Sequence, residues 1–113
     1  MHEMSVAMGI VEIAVSHMNK AGASRVIQVR AAVGELSGVM PEAVEFCYEA
    51  ACKGTAAEGS GLLIEKVAAR AECQACLREF VPEYPLAVCP ACGALGGRII
   101  SGEELYVDDI TVE

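Results

Sequence analysis

Four of the six cysteines are arranged in two pairs of a type that binds metal. Cys73 and Cys76 form one Cys-x₂-Cys pair, Cys89 and Cys92 form the other, and twelve residues lie between the pairs. Zinc binds four thiolates in a tetrahedron with Zn–S distances of about 2.3 Å, and a two-residue gap allows a tight turn to direct both sulfurs to one ion. The spacing therefore predicts a structural Cys₄ zinc site, because four protein ligands leave no open position for water or substrate.

Other uses of these cysteines stay open at this point. Cys-x-x-Cys is also a redox motif, and a rubredoxin-type iron site uses similar ligands. A redox pair normally opens a helix after a strand, whereas two pairs that frame a hairpin favour metal. Secreted-type disulfides are not expected, because the amino terminus lacks the basic start of a signal peptide. The remaining two cysteines, Cys47 and Cys52, lie on an apolar helical stripe and are predicted to be small buried hydrophobes.

The first three residues, Met1-His2-Glu3, form a second candidate metal site. The α-amino group of Met1, the backbone nitrogen of His2 and the His2 imidazole can close fused chelate rings on one ion, and the backbone of Glu3 could add another nitrogen. Nitrogen-rich, square-planar coordination suits Ni(II) or Cu(II). The alternative is a solvated histidine without a ligand, which is the usual state of a histidine near a chain end.

The elements that must position these residues follow from hydrophobic periodicity. A helical period covers residues 4–19, and its predicted apolar face consists of Met4, Ala7, Met8, Val11, Ala14, Val15 and Met18. Gly22 is placed to end this helix. Alternation predicts a strand over 25–33, a second helix should begin at Pro41, and further strands are expected over 62–71 and 99–112, with an irregularity at Asp108-Asp109.

This order predicts an α+β fold in which a small mixed sheet is covered by two helices and carries an inserted zinc-ribbon-like Cys₄ module. We expect residues 1–71 and 98–113 to form the α/β domain with the amino-terminal site, and residues 72–97 to form the zinc-binding insert. The length of 113 residues suits one domain with one small insert.

Composition and motifs exclude several classes of function. The net charge of −8 and only eight Lys and Arg residues disfavour a nucleic-acid partner, because such binding depends on neutralising phosphates. No apolar run reaches the roughly 20 residues of a membrane span, so no membrane association is expected and the cytoplasm is the expected compartment. A phosphate-binding loop and a catalytic constellation are missing, which predicts that the protein is not an enzyme.

The combination of motifs resembles the HypA/HybF family of hydrogenase nickel incorporation proteins. The similarity covers the start Met1-His2-Glu3-Met4-Ser5, the segment Val33-Gly34-Glu35-Leu36-Ser37-Gly38, the helix segment Glu45-Phe46-Cys47 and both cysteine pairs. The resemblance implies a nickel metallochaperone that works with a HypB-type GTPase and delivers Ni(II) to the hydrogenase large subunit. It implies nickel ligands centred on His2, with backbone nitrogens nearby and Glu3 important, and Zn(II) on Cys73, Cys76, Cys89 and Cys92.

One departure from the family concerns Met40. Some relatives carry an acidic residue there that contributes to the nickel site, whereas this chain offers Met40 with Glu42 close by. The alternative functions are a zinc-ribbon module that binds protein or nucleic acid without nickel, and a dithiol oxidoreductase. Urease maturation is a second destination for the metal, and self-association is a further option.

Overall fold

A computed structural model describes residues 3–83 and 87–113 of the chain. In this part, two helices and six strands build two small sheets, which confirms the predicted α+β class. The elements in chain order are α1 (Glu3–Lys20), β1 (Val26–Gly34), α2 (Pro41–Cys52), β2 (Gly61–Val67), β3 (Arg70–Glu72), β4 (Glu79–Phe80), β5 (Arg98–Ser101) and β6 (Leu105–Val112).

The ends of both helices agree with their predicted signals. Gly22 follows α1 in the left-handed region with φ +70°, and its N–H donates to the Asn19 carbonyl at 3.1 Å. Pro41 is the first residue of α2, where its missing N–H costs nothing and its fixed φ suits the helix. Neither described helix is long and apolar enough to cross a membrane.

The first sheet has the strand order β2-β1-β6 and is mixed, because β1 runs parallel to β2 and antiparallel to β6. Val29 is aligned with Leu62 on one side and with Ile110 on the other. The register shifts where Arg30 is opposite Asp109 and Ala31 opposite Val107, so that Asp108 is an extra residue in β6. This β-bulge confirms the irregularity predicted at Asp108-Asp109.

Both helices pack on one face of this sheet, but the predicted apolar face of α1 is partly wrong. The side chains of Met4 and Met8 are 39% and 53% exposed, whereas Ile10 is only 6% exposed. Because α1 is apolar over much of its circumference, the sequence leaves the phase of its buried stripe ambiguous. The core is formed by Ala7, Ile10, Val11, Ala14 and Met18 of α1 with Val26, Val29, Ala31, Val33, Val39, Val44, Tyr48, Cys52 and Ala57.

The strand predicted over 62–71 is wrong in its extent, because the chain changes sheets at Ala68-Ala69. The Ala69 N–H donates to the carboxylate of Glu35 at 3.0 Å, and the Ser101 hydroxyl donates to the Ala68 carbonyl at 2.8 Å. These side chains replace the ladder partners that a continuous strand would have used, so β2 ends and β3 begins in a different sheet.

The second sheet is antiparallel, has the order β4-β3-β5 and includes Arg70, Ala71 and Arg98–Ser101. It therefore extends a few residues beyond the range 72–97 predicted for the insert. The division of the chain into an α/β domain and an insert stays a prediction. The chain returns to the first sheet through Gly102, at φ +112°.

Candidate metal centre

Each cysteine pair lies in a tight turn with the same hydrogen-bond pattern. In the first turn the Leu77 N–H donates to the Cys73 carbonyl at 2.9 Å, and in the second the Gly93 N–H donates to the Cys89 carbonyl at 2.8 Å. The first turn connects β3 to β4, and an isolated bridge between Val88 and Leu95 closes the second. Two independent turns therefore present two sulfurs each.

The four sulfurs converge on one point. The Sγ atoms of Cys73, Cys76, Cys89 and Cys92 all lie within 4.8 Å of one another. Across the two turns, the Cys73 and Cys92 sulfurs are 3.5 Å apart and those of Cys76 and Cys89 are 3.7 Å apart. These separations far exceed the roughly 2.05 Å of a disulfide bond, and all four thiols are free.

The spacing fits a tetrahedral thiolate site. Sulfurs placed about 2.3 Å from a common centre at tetrahedral angles are separated by about 3.8 Å, close to both distances across the turns. Four thiolates this close together would repel one another strongly, and a divalent cation at their centre would offset that repulsion. The donor set and its geometry therefore suit Zn(II), with all four positions filled by Cys73, Cys76, Cys89 and Cys92.

Backbone amides stabilise the negative charge on one sulfur of each turn. The N–H groups of Cys76 and Ala75 donate to the Cys73 sulfur at 3.5 and 3.4 Å, and they lower the pKa of the Cys73 thiol to about 6. In the second turn the N–H of Cys92 lowers the pKa of Cys89 in the same way. The first thiol of each pair is therefore the better prepared to bind a cation as thiolate.

The thiol of Cys92 behaves in the opposite way. The Ala94 N–H lowers its pKa, but the neighbouring Cys73 thiol, desolvation and the other cysteines together raise it, to about 11. A cluster in which some thiols lose protons readily and another retains its proton is the expected state before a metal binds, because four adjacent negative charges are unfavourable.

The sulfurs are supported from below by a small second core. Ala71, Cys73, Phe80 and Cys89 are buried together, and Ala87, Ala94 and Ile99 pack against them. Two exposed ion pairs connect neighbouring strands of the second sheet, Arg70 with Glu79 at 3.1 Å and Arg98 with Glu72 at 3.3 Å. A core this small contributes little stability on its own, so an ion held by the four sulfurs would add substantially to the stability of the second sheet.

Leu77 is a structural residue of the site that the sequence did not reveal. Its φ is +64°, and among residues 3–83 and 87–113 it is the only one other than glycine with a positive φ. It follows the second cysteine of the first pair, as Gly93 with φ +74° follows the second cysteine of the other pair. The signal available in the sequence was this equivalence between the two turns.

Of the predicted amino-terminal site, Met1 and His2 lie outside the described residues. Glu3 is the first residue of α1 and is half-buried. The first turns of α1, at Ser5 and Val6, line a groove together with Leu105 and Tyr106. The start of α1 therefore lies at the end of the first sheet where β6 begins, close to the connection with the second sheet.

Met40 and Glu42 lie at the start of α2. The Met40 side chain is 64% exposed, and Met40 is the N-cap residue without a side-chain hydrogen bond to the helix. The Lys66 ammonium donates to the Glu42 carboxylate at 2.7 Å, and this hydrogen bond lowers the pKa of Glu42. Glu42 is thus already paired with a cation from β2.

Comparison with known proteins gives a consistent result over the whole chain. Residues 1–112 match the model of a protein family described as hydrogenase/urease nickel incorporation, metallochaperone, hypA. The hydrogenase maturation factor HypA of Geobacter metallireducens is 48% identical over 113 residues, and the alignment covers 100% of both chains. The corresponding factor of Chlorobium limicola is 43% identical over 100% of this chain and 97% of its own length.

Two solved structures share the fold. The solution structure of a HypA protein superposes with a TM-score of 0.73 at 22% identity, covering 99% of this chain and 96% of the other. That of the Ni metallochaperone HypA from Helicobacter pylori gives a TM-score of 0.68 at 23% identity, with coverage of 99% and 97%. At these identities the likeness establishes the fold alone.

Proposed function

Because this chain belongs to the hypA family of hydrogenase/urease nickel incorporation metallochaperones, we propose that it binds Ni(II) at Met1, His2 and Glu3 and delivers the ion for the maturation of [NiFe]-hydrogenase. The observation that carries the proposal is the family match over residues 1–112, which includes the Met1-His2-Glu3 start. The family comprises maturation factors and not catalysts, in agreement with a role in carrying metal.

The second part of the proposal is a structural Zn(II) held by Cys73, Cys76, Cys89 and Cys92. Zinc has no redox chemistry, prefers four-coordinate tetrahedral sites and binds thiolates strongly. Bound there, it would fix the two turns relative to each other and so the short strands β3, β4 and β5 that lead into them. A closed four-sulfur site does not release its ion readily, so the transported ion must bind elsewhere.

The start of the chain is suited to an ion that has to be given up. Met1 and His2 precede α1, whose partial positive charge at its amino terminus disfavours a cation in the adjoining position. The carboxylate of Glu3, in the first turn, offsets part of this repulsion. This electrostatic balance supports transfer in preference to permanent retention.

The remaining parts of the proposal concern where and with what the protein works. We place it in the cytoplasm, where the cysteines stay reduced. A HypB-type GTPase and the hydrogenase large subunit are the proposed partners. The chain has no G-x-x-x-x-G-K-[ST] sequence, so nucleotide hydrolysis has to be supplied by the GTPase. Association of two copies of the chain would be compatible with the same transfer.

The histidines of the chain provide a matched test, because it has only two. His2→Ala removes the imidazole proposed as a nickel ligand, whereas His17→Ala removes an exposed imidazole from the last turn of α1. Untagged protein of each type is titrated with Ni(II) by calorimetry, and zinc is measured by elemental analysis. We expect at least tenfold weaker nickel binding for His2→Ala, no change for His17→Ala, and one zinc per chain in all three proteins.

Nickel binding should also weaken on acidification, because the imidazole must be neutral and its ordinary pKa is about 6.5. This dependence should persist in His17→Ala. Equal nickel affinity in the original protein and in His2→Ala would refute the nickel site and leave a zinc-ribbon module of a different function.

A further inference from the structure

Strand β6 lies at an edge of the first sheet and borders a long groove. It pairs with β1 on one side, and within residues 3–83 and 87–113 no strand pairs with its other side. One half of the groove has a volume of about 330 Å³. Apolar side chains of α1 and β6 line this half, namely Val6, Ile10, Ile13, Leu105, Tyr106 and Val107.

The other half of the groove is acidic. It has a volume of about 430 Å³ and continues the apolar half, since Ile13 and Val107 line both. Asp108 and Asp109 line it from the bulge of β6, and both residues are exposed. His17 of α1 lines this half as well, and Arg30 of β1 lies opposite Asp109 in the strand register. Along its length the lining of the groove changes from apolar side chains to two exposed carboxylates.

We propose that this groove is the docking site of an extended, cationic segment of a partner protein, which adds a strand to the free edge of β6. An unpaired strand edge offers backbone N–H and C=O groups to such a segment, and the side chains beside it decide which segment binds. Apolar side chains of the segment would contact Ile13 and Leu105, and a Lys or Arg would pair with Asp108 or Asp109.

The charges favour this occupant over a second copy of the chain. Asp108 and Asp109 are the two central residues of β6, Leu105–Val112. If two copies of β6 paired antiparallel in the centred register, the Asp108-Asp109 carboxylates of one copy would lie opposite those of the other. Like charges directly across a strand pair are destabilising, and the net charge of −8 adds to the repulsion. A cationic segment turns the same carboxylates into a favourable contact.

The bulge at Asp108 also sets the kind of segment that fits. An extra residue interrupts the regular ladder, so long uninterrupted strand pairing on this edge is disfavoured. A short segment is compatible with it, provided that its cationic residue reaches the bulge. The proposal does not depend on nickel binding, because no residue of the groove belongs to the proposed metal sites.

The test uses a short fluorescent peptide in which valine and lysine alternate, added to the full-length zinc-loaded protein. Anisotropy gives the affinity, and NMR hydrogen exchange reports on the amides of β6. We expect binding with slower exchange of outward-facing amides of β6. The peptide with glutamate in place of lysine, and a peptide with proline at alternate positions, should bind at least tenfold more weakly.

Two groove variants and two matched controls complete the design. Asp109→Lys and Ile13→Glu should lower the affinity for the valine–lysine peptide at least tenfold. Glu49→Lys and Phe46→Glu, both on α2, should keep that affinity within twofold of the value for the original protein. Zinc content and circular dichroism verify the fold, and nickel titration should be unchanged in all four variants. The design therefore distinguishes a failure of the nickel proposal from a failure of the docking proposal.

Three results would overturn the proposal. One is a lack of peptide binding at millimolar concentration, and another is equal binding of the glutamate peptide. The third is a concentration-dependent dimer, in the absence of peptide, that Ile13→Glu disrupts, since it would make a second copy the occupant of the groove.

Discussion

Gly34 lies directly against the backbone of Gly102, where the chain passes between the two sheets. A side-chain methyl group at Gly34 would overlap the carbonyl group of Gly102. The same carbonyl accepts a hydrogen bond from the Leu36 N–H at 2.6 Å, and the Gly34 N–H donates to the Glu104 carbonyl at 2.7 Å. The end of β1 is therefore held against the turn before β6, so the orientation of the second sheet depends on a residue without a side chain.

Replacement of Gly34 by alanine should destabilise the fold by about 3 kcal/mol or more, because the new methyl group would meet backbone that cannot move aside. Gly61→Ala is the matched control, since it also lies in a strand and a methyl group there would contact only the end of the Gln28 side chain. We expect Gly61→Ala to change stability by less than about 1 kcal/mol. Urea unfolding of zinc-saturated protein measures both, and comparable losses in the two variants would contradict the role of this contact.

The sequence predicted the two helices, the first strand and the two Cys-x₂-Cys turns, because each of these depends on residues that are close together in the chain. It did not predict the break at Ala68-Ala69, which depends on the Glu35 carboxylate, far away in the chain. The buried stripe of α1 was also misplaced at Met8, because an apolar helix has no sharp boundary between its faces. The proximity of Gly34 and Gly102 likewise depends on how two sheets meet, which no local pattern records.

A capping residue at position 40 should stabilise α2. Met40 occupies the N-cap position in an extended conformation but has no side-chain acceptor for the free N–H groups of the first turn. Met40→Asp supplies such an acceptor and a negative charge at the positive end of the helix, which should raise the free energy of unfolding by about 1 kcal/mol. Met40→Ala is the control and should leave it nearly unchanged. If Met40→Asp also strengthens nickel binding, the acidic residue of some relatives has a metal-binding role as well.

Leu77→Gly and Gly93→Leu should change zinc affinity in opposite directions. A left-handed conformation costs a residue with a side chain about 1–2 kcal/mol, and glycine avoids this cost. Leu77→Gly should therefore raise zinc affinity several-fold, part of the gain being offset by the flexibility of glycine in the unfolded chain. Gly93→Leu should lower zinc affinity, although a Cβ atom there would meet no neighbouring atom within 4 Å. Competition with a chelator measures both, and a lower affinity of Leu77→Gly would show that its side chain matters more than its backbone.

Tyr48 should make stability fall at high pH. Burial raises its pKa to about 12, with Cys52 acting in the same direction and the hydrogen bond with Ser60, at 2.7 Å, opposing it. The folded protein therefore keeps the phenolic proton between pH 10 and 12, where the unfolded chain releases it, so this contribution to stability is complete below pH 10 and is lost above it. Tyr48→Phe should be less stable by about 1 kcal/mol at neutral pH, because it loses the hydrogen bond. Between pH 10 and 11 the free energy of unfolding of Tyr48→Phe, measured with urea, should fall less steeply than that of the original protein. An equally steep fall in the two proteins would contradict the raised pKa of Tyr48.

Removal of one metal ligand should affect the two sheets differently. Cys76→Ser leaves three thiolates in the site. Removing a residue that only hydrogen-bonds to a metal ligand lowers metal affinity by up to roughly 100-fold, so we expect the loss of a ligand itself to lower zinc affinity by more than that. Because the core beneath the sulfurs is small, the amides of β3 and β5 should then lose their protection from hydrogen exchange. The amides of β1 should stay protected, since the core of the helices with the first sheet contains no metal ligand.

Cys47→Ser is the matched control for this experiment. Cys47 is a half-buried thiol of α2 that lies outside the cysteine cluster, so its replacement should retain one zinc per chain and protected amides in both sheets. Stoichiometric zinc with unchanged affinity in Cys76→Ser would mean that three sulfurs suffice and that the fourth position of the site is open. Loss of protection in β1 together with β3 would instead make the two sheets a single cooperative unit, whose folding depends throughout on the metal.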